Sequence, residues 1–372
     1  MASFAVKFLG CKVSQADAML ARRSVLAAGH TEAPESDAEL HVINTCCITS
    51  EAEAKSRQAV RPNCRGLRLT AQPASERAAR TRGFVKVQDG CDCHCAYCII
   101  PTVRGSARSR PASAILDEVA ERVALGQPEM VMTGISVGDY SDPEAGLELG
   151  DLMVQVARVP GVERVRLSSV EVIHVRDSLL DALVSETKVC PHLHVPTQSG
   201  DDAVLEAMGR HFTAAEYVDH VARVRAAAGG RDRINVTTDV IVGFPTEDEA
   251  AFQRTLDAVD AAGISRVHVF PYSPRPGTVA ADLGDRVPAS EKKRRSQVLR
   301  GRSELRSRLH RTARLGRREQ VLVDKVADTQ CSGYATDYTR CYLPAGAAAR
   351  GTLIDVTCEE LYADGISCSV AV

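Results

Sequence analysis

The chain has 372 residues, 44% of them hydrophobic, which is enough for two or three domains with cores of their own. A net charge of −2 gives no global signal for a nucleic-acid partner, and no run of about 18 apolar residues announces a membrane span. Thirteen cysteines without a secretory leader read as thiols used for metal in the cytoplasm, and not as a secreted disulfide framework.

Residues 1–80 read as a small α/β region. AVKFLG and LHVINTC are strand candidates, and SQADAMLARRSVLAAG and EAEAKSRQAVR are helix candidates. Cys11, Cys46 and Cys47 fall just past the two strands, at an edge where parallel sheets place their sites. A strand–helix rhythm then fills residues 81–285. FVKVQ, MVMTGI, RVRLSS, HLHVP, INVTTDVIVGF and SRVHVFP are its strands, with helical segments such as ASAILDEVAERVAL between them. Six such units predict an α/β fold with a parallel sheet curved into a partial (β/α)6 barrel. Gly134, Ser168, Ser169, Gln198 and Gly243 follow its strands, at the mouth where such barrels keep their chemistry.

The first barrel strand runs straight into DGCDCHCAYCIIP, in which Cys91, Cys95 and Cys98 have C-x3-C-x2-C spacing. Three thiolates so close can hold three irons of a 4Fe–4S cube and leave the fourth iron open. A zinc knuckle would want a second paired set of ligands nearby, and His94, lying between two of the cysteines, is strained as a fourth. The spacing therefore favours a cluster, with Cys93 as a bystander.

Residues 286–318 carry twelve Lys and Arg between Lys292 and Arg318, predicting a long basic helix whose charge meets phosphate. Residues 319–372 alternate as short strands punctuated by Gly and Asp, predicting a small antiparallel β-barrel of OB-like size. Cys331, Cys341, Cys358 and Cys368 within it read as small buried hydrophobes.

The cysteine loop, with Tyr97 before its last cysteine, resembles the signature of the radical S-adenosylmethionine (SAM) superfamily. Within it, the chain resembles the methylthiotransferases that modify tRNA. FLGCKVSQADAML and INTCCITSEAEAKSRQ are similar to that family's N-terminal cysteine motifs. MTGISVGDY, RLSSVE, HLHVPTQSGDDAVLEAMGRHF, TTDVIVGFPTEDEAAF and HVFPYSPRPGTVA follow in the family's order, and the C-terminal segment resembles its RNA-binding TRAM barrel. The LGCKV start and the GDY after the second barrel strand look most like the branch acting on N6-threonylcarbamoyladenosine beside the anticodon.

The resemblance implies a SAM-binding 4Fe–4S cluster on Cys91, Cys95 and Cys98, and a SAM-derived radical that takes hydrogen from C2 of the adenine. It places Tyr97 by the SAM adenine, Thr133 and Gly134 by its methionyl amine, and Ser169, Gln198 and Asp239 in the SAM or substrate pocket. A second SAM would supply the methyl group, and sulfur would come through an auxiliary 4Fe–4S cluster on three N-terminal cysteines. The implied partners are the anticodon stem-loop of tRNA and an electron donor such as flavodoxin or ferredoxin, with neither membrane nor DNA.

One departure stands out. Cys11 and Cys46 match the family's first two N-terminal cysteines, but the third has no counterpart, and only 44 residues separate Cys46 from Cys91. Cys64 is the nearest substitute and Cys47 another. Three outcomes stay open: a cluster on Cys11, Cys46 and Cys64, a two-cysteine cluster, or none. Without an auxiliary cluster, the alternative is a radical SAM enzyme acting on another RNA, a peptide or a secondary metabolite.

Overall fold

The computed structural model describes residues 1–8, 10, 12–45, 53–57, 80–229 and 234–371. Cys11, Cys46, Cys47 and Cys64 lie outside the described residues. The chain opens with three parallel strands, in which β1 (Ser3–Phe8) lies between β2 (Thr31–Glu32) and β3 (Leu40–Asn44). The helix Lys12–Ala27 packs on them through Ala18, which meets Phe4 and Val6 in a small core.

The next strand, β4 (Arg82–Lys86), starts the barrel, and the short pair β5 (Gln88–Asp89) and β6 (Arg108–Ser109) brackets the cysteine loop. β4 joins β7 (Glu129–Thr133) and β8 (Arg164–Leu167) in one parallel sheet. β9 (His192–His194), β10 (Asn235–Val242) and β11 (Arg266–Pro271) form a second. Single bridges from Val165 to Val189 and from Ser169 to His194 join the two, so six parallel strands curve into an open barrel.

Side chains alternate across each strand. Val85, Met130, Met132, Val165, Leu167, Leu193, Val236 and Val267 face the surrounding helices and form the core with Ile115, Val119, Leu152 and Phe252. The intervening positions turn inward and are mostly polar, among them Glu129, Thr133, Arg166, His194, Thr237 and Asp239.

The last strands, β12 (Arg318–Val326), β13 (Gln330–Ala335), β14 (Arg340–Pro344), β15 (Leu353–Tyr362) and β16 (Gly365–Val370), close in the order β12–β13–β14–β16–β15. The pairs are antiparallel except β14–β16, which is parallel and completes the closure. Cys331, Cys341, Cys358 and Cys368 lie in its core beside Val321, Val323 and Ile366, in the role of small hydrophobes.

The small barrel is clasped to the base of the large one. Arg166 donates from Nε to Glu129 Oε1 at 2.9 Å, from Nη1 to the Thr336 carbonyl at 2.9 Å and from Nη2 to the Ala335 carbonyl at 3.2 Å. Arg164 reaches the carbonyl of Tyr334 at 3.0 Å and that of Gln320, and Arg82 reaches the Tyr338 hydroxyl at 3.1 Å. Burial works to raise the Glu129 carboxyl, but Arg166, Arg82 and Arg164 outweigh it and hold Glu129 below the ordinary carboxylate range.

The helix Ala289–Thr312 runs between the two barrels, as its composition predicts, but much of its charge does not face outward. Lys292 binds the Tyr272 carbonyl and Asp285, Arg295 binds Glu247 at 2.6 Å, Arg302 binds Asp260 at 2.5 Å, and Arg311 binds the Ala363 carbonyl at 3.0 Å. The expectation of a uniform phosphate-facing stripe is therefore corrected. Long basic side chains lay their stems on the protein and place their heads on carbonyls and carboxylates. Lys293, Arg300 and Arg308 are exposed and have no carboxylate partner among the described residues.

Glu129→Ala leaves Arg166 buried beside Arg164 without its counter-charge, a loss expected to cost about 3–5 kcal/mol. Urea unfolding should show a lower midpoint; an unchanged midpoint would show that the clasp carries no stability.

Candidate active site

The cysteine loop leaves the C-terminal end of β4 and returns through the helix Ile100–Arg104. Gly90 turns it with φ of +72°, and a Cβ there would lie 2.0 Å from the Ser106 carbonyl oxygen, so no other residue fits. The Cys91 amide donates to the Gly105 carbonyl at 3.2 Å, closing the loop at its base. The Ala96 amide donates to the Met208 carbonyl at 2.8 Å, seating the loop on the end of the helix Asp202–Ala207. His94 has positive φ, which aims its neighbours Cys93 and Cys95 in different directions.

Cys91, Cys93, Cys95 and Cys98 are free, half-buried thiols. Among the described residues, only His194, Asp239 and His268 form a set of three or more ligand side chains whose donor atoms all lie within 4.8 Å of one another. No three of the loop cysteines come that close together, so as placed they do not close a tetrahedral zinc site, whose 2.3 Å bonds set sulfurs roughly 3.8 Å apart. A hydrogen bond from the Cys93 thiol, opposed by burial, brings Cys91 down to about 7, while burial pushes Cys98 up to about 11. Metal binding there would release protons.

A cation that sequence reasoning missed lies against the loop. Arg210 Nη1 points at Cys95 Sγ at 3.6 Å and donates to Glu171 Oε1 at 3.1 Å, while Nη2 donates to Glu171 Oε2 and to the Pro196 carbonyl at 3.0 Å. The guanidinium is buried over the Phe212 ring and so fixed in place. A lone arginine in an arginine-rich chain gave no signal of this; only the fold brings positions 171 and 210 to 95.

Beside the loop, a cavity of about 480 Å³ opens between the barrel interior, the start of the helix Lys12–Ala27, the helix Ala289–Thr312 and the small barrel. Thr133, Gly134, Ser169 and Asp239 line it, four of the six pocket residues expected from the sequence. Gly134 lies against Gln88 at the root of the cysteine loop, where a Cβ would meet the Gln88 carbonyl oxygen at 2.7 Å. Gln198 and Tyr97 are not brought into it. The Gln198 amide donates to the Asp239 carbonyl at 2.9 Å, and Tyr97 packs with Met208, Phe244 and Tyr272.

The cavity floor is aromatic and cationic. Tyr338, at φ of +73° in the β13–β14 turn, stacks on His192 with ring centroids 5.1 Å apart. The Arg166 guanidinium sits 4.5 Å from the Tyr338 ring centroid and Lys12 Nζ 5.7 Å from it. A bulky residue at positive φ is strained and persists only where its surroundings hold it.

The radical SAM superfamily profile matches residues 85–259, and that of the uncharacterized protein family UPF0004 matches residues 3–68. The threonylcarbamoyladenosine tRNA methylthiotransferase MtaB of Chlamydia pneumoniae is 32% identical over 98% of this chain and 97% of its own. The enzyme of the same name from Thermotoga maritima is 32% identical over 91% of each chain. A tRNA-2-methylthio-N(6)-dimethylallyladenosine synthase from Alkalilimnicola ehrlichii is 38% identical, over 67% of this chain and 55% of its own. The class works with SAM and a 4Fe–4S cluster, and its methylthiotransferases carry a second cluster. With near full-length relatives above 30% identity, this chain belongs to the radical SAM methylthiotransferase family and is an enzyme of that class.

Proposed function

We propose that this protein inserts a methylthio group at C2 of N6-threonylcarbamoyladenosine, next to the anticodon of tRNA. The observation that carries the reading is the near full-length match to relatives named for that substrate, where the dimethylallyladenosine relative aligns over little more than half its length. Cys91, Cys95 and Cys98 are the residues to hold the SAM cluster, with Cys11, Cys46 and Cys64 as the set for the auxiliary one. Bound together, the cofactors supply one-electron chemistry at the C2–H bond, a sulfur atom and a methyl group.

The chain's own residues do the positioning. The Arg210 guanidinium, held by Glu171, sets a fixed positive charge beside Cys95. The Gly134 backbone and the hydroxyls of Thr133 and Ser169 give the cavity wall beside the loop donors and acceptors for a bound SAM or base. Lys293, Arg300 and Arg308 are the outward charges suited to RNA phosphate. A small one-electron donor such as flavodoxin or ferredoxin, in the cytoplasm, completes the setting; no helix among the described residues is long and apolar enough to cross a membrane.

A second reading has its own motive. Aligning the Chlamydia relative takes 413 positions to cover 98% of this 372-residue chain, so this chain lacks segments that the relative carries. If the auxiliary cluster is among the losses, the enzyme would cleave SAM without inserting sulfur, and would act on another RNA, a peptide or a secondary metabolite.

Anaerobically reconstituted protein, given SAM, a reductant and an anticodon stem-loop carrying threonylcarbamoyladenosine, should yield a methylthio product by mass spectrometry. Formation of 5′-deoxyadenosine with the stem-loop unchanged would favour the second reading. Charge reversal at Lys293, Arg300 and Arg308 should reduce the slope of log K against log salt for stem-loop binding by roughly two to three units. An unchanged slope would leave those three as solvated charges.

A further inference from the structure

Two features of the cavity have no part in the chemistry above. Lys12 and Arg266 both line it, and neither has a carboxylate partner among the described residues. A fixed hydrogen-bonded chain also crosses its wall. Asp239 Oδ1 lies 3.1 Å from His194 Nε2 and 3.1 Å from His268 Nδ1, with the two rings stacked at 5.2 Å. His194 Nδ1 lies 2.9 Å from Thr237 Oγ1, which in turn lies 3.2 Å from His192 Nε2.

The protons of this chain can be assigned. Burial pushes the Asp239 carboxyl up, yet hydrogen bonds from His194 and His268 hold it well below the usual range. An ionised Asp239 only accepts, so His194 Nε2 and His268 Nδ1 both carry hydrogen. With a neutral His194 ring, Thr237 donates its hydroxyl to His194 Nδ1 and accepts from His192 Nε2. The three groups also have the make-up of a metal site, but Asp239 Oδ1 already receives both N–H groups. Two ring nitrogens remain: His192 Nδ1, which is buried without a partner among the described residues, and His268 Nε2, on a ring that is half exposed.

Arg266, His268 and Phe270 occupy alternate positions of β11, so they share one strand face, and all three line the cavity. That face offers a guanidinium, the His268 ring nitrogen that Asp239 leaves free, and an aromatic ring. We propose that β11 reads the N6 substituent of the substrate adenosine. Arg266 takes its carboxylate, His268 Nε2 accepts from its hydroxyl, and Phe270 packs against the base. Guanidinium–carboxylate pairing is strong and planar, and a site that hydrogen-bonds a hydroxyl discriminates against a substituent that lacks it. The inference rests on the methylthiotransferase reading and names the specificity determinants of that same site. Unpaired cations also suit RNA phosphate, and the experiment separates the two sources.

The test is binding of three fluorescent anticodon stem-loops to the reconstituted full-length protein, followed by anisotropy. One carries threonylcarbamoyladenosine, one its carboxamide, and one the glycyl analogue that lacks the hydroxyl. Wild type should bind the first most tightly. Arg266→Gln should weaken it roughly ten- to hundredfold and abolish the preference over the carboxamide, with Arg266→Lys retaining part of it. His268→Phe should abolish the preference over the glycyl analogue, an effect of roughly threefold to tenfold. Equal weakening of all three stem-loops by Arg266→Gln would assign the arginine to phosphate and overturn the proposal. Equal binding of the three by wild type would overturn it as well. Wild type that discriminates among them yet transfers no methylthio group would uphold this inference while refuting the reaction assigned above.

Discussion

A polar barrel interior is the constraint on which the rest of this structure depends. Strand alternation sends one set of side chains to the helices and the other inward, and here the inward set is charged. At the base, one carboxylate, Glu129, faces Arg82, Arg164 and Arg166. Its single charge does not neutralise three guanidiniums. Carbonyls at the end of β13 and the turn after it, the Tyr338 hydroxyl and the Asp324 carboxylate take most of the remaining donors, while Arg164 Nε is buried without a partner among the described residues. The small barrel is therefore not tethered only through the long helix; it supplies acceptors that the large barrel lacks.

The site follows from that arrangement. Clasping the β13–β14 turn brings Tyr338 under His192 and makes an aromatic floor for the cavity. The wall above it is the hydrogen-bonded chain from His192 through Thr237, His194 and Asp239 to His268. At the mouth, the cysteine loop is held by backbone hydrogen bonds to Gly105 and Met208 and by the Arg210–Glu171 pair at Cys95. On the proposed reading, substrate specificity and radical chemistry have separate supports, β11 and the long loop after β4, whose strands belong to different sheets of one open barrel.

Much of this was legible in the sequence, because it rests on local pattern. The strands are short apolar runs separated by helical segments, the cysteine spacing is a contiguous motif, and the terminal strands alternate with turn residues. The family resemblance, and not local pattern, suggested Thr133, Gly134, Ser169 and Asp239 as pocket residues, and all four line the cavity. What was not legible depends on long-range pairing. Arg210 meets Glu171 and Cys95 only after three separate β/α units have packed. The long helix looked like an RNA-binding stripe because sequence counts charges, whereas Arg295, Arg302 and Arg311 meet Glu247, Asp260 and the Ala363 carbonyl from elsewhere in the chain. Arg266 and His268 stood in a strand candidate, but only the cavity gives their shared face a meaning.

Two clusters in one chain are the claim on which methylthio insertion depends, and counting iron and acid-labile sulfide after anaerobic reconstitution tests it most directly. The account predicts about eight irons per wild-type chain, and about four after Cys91, Cys95 and Cys98 are all replaced by Ala. About four in the wild type and none in the variant would contradict it, since no second cluster would be present to supply sulfur.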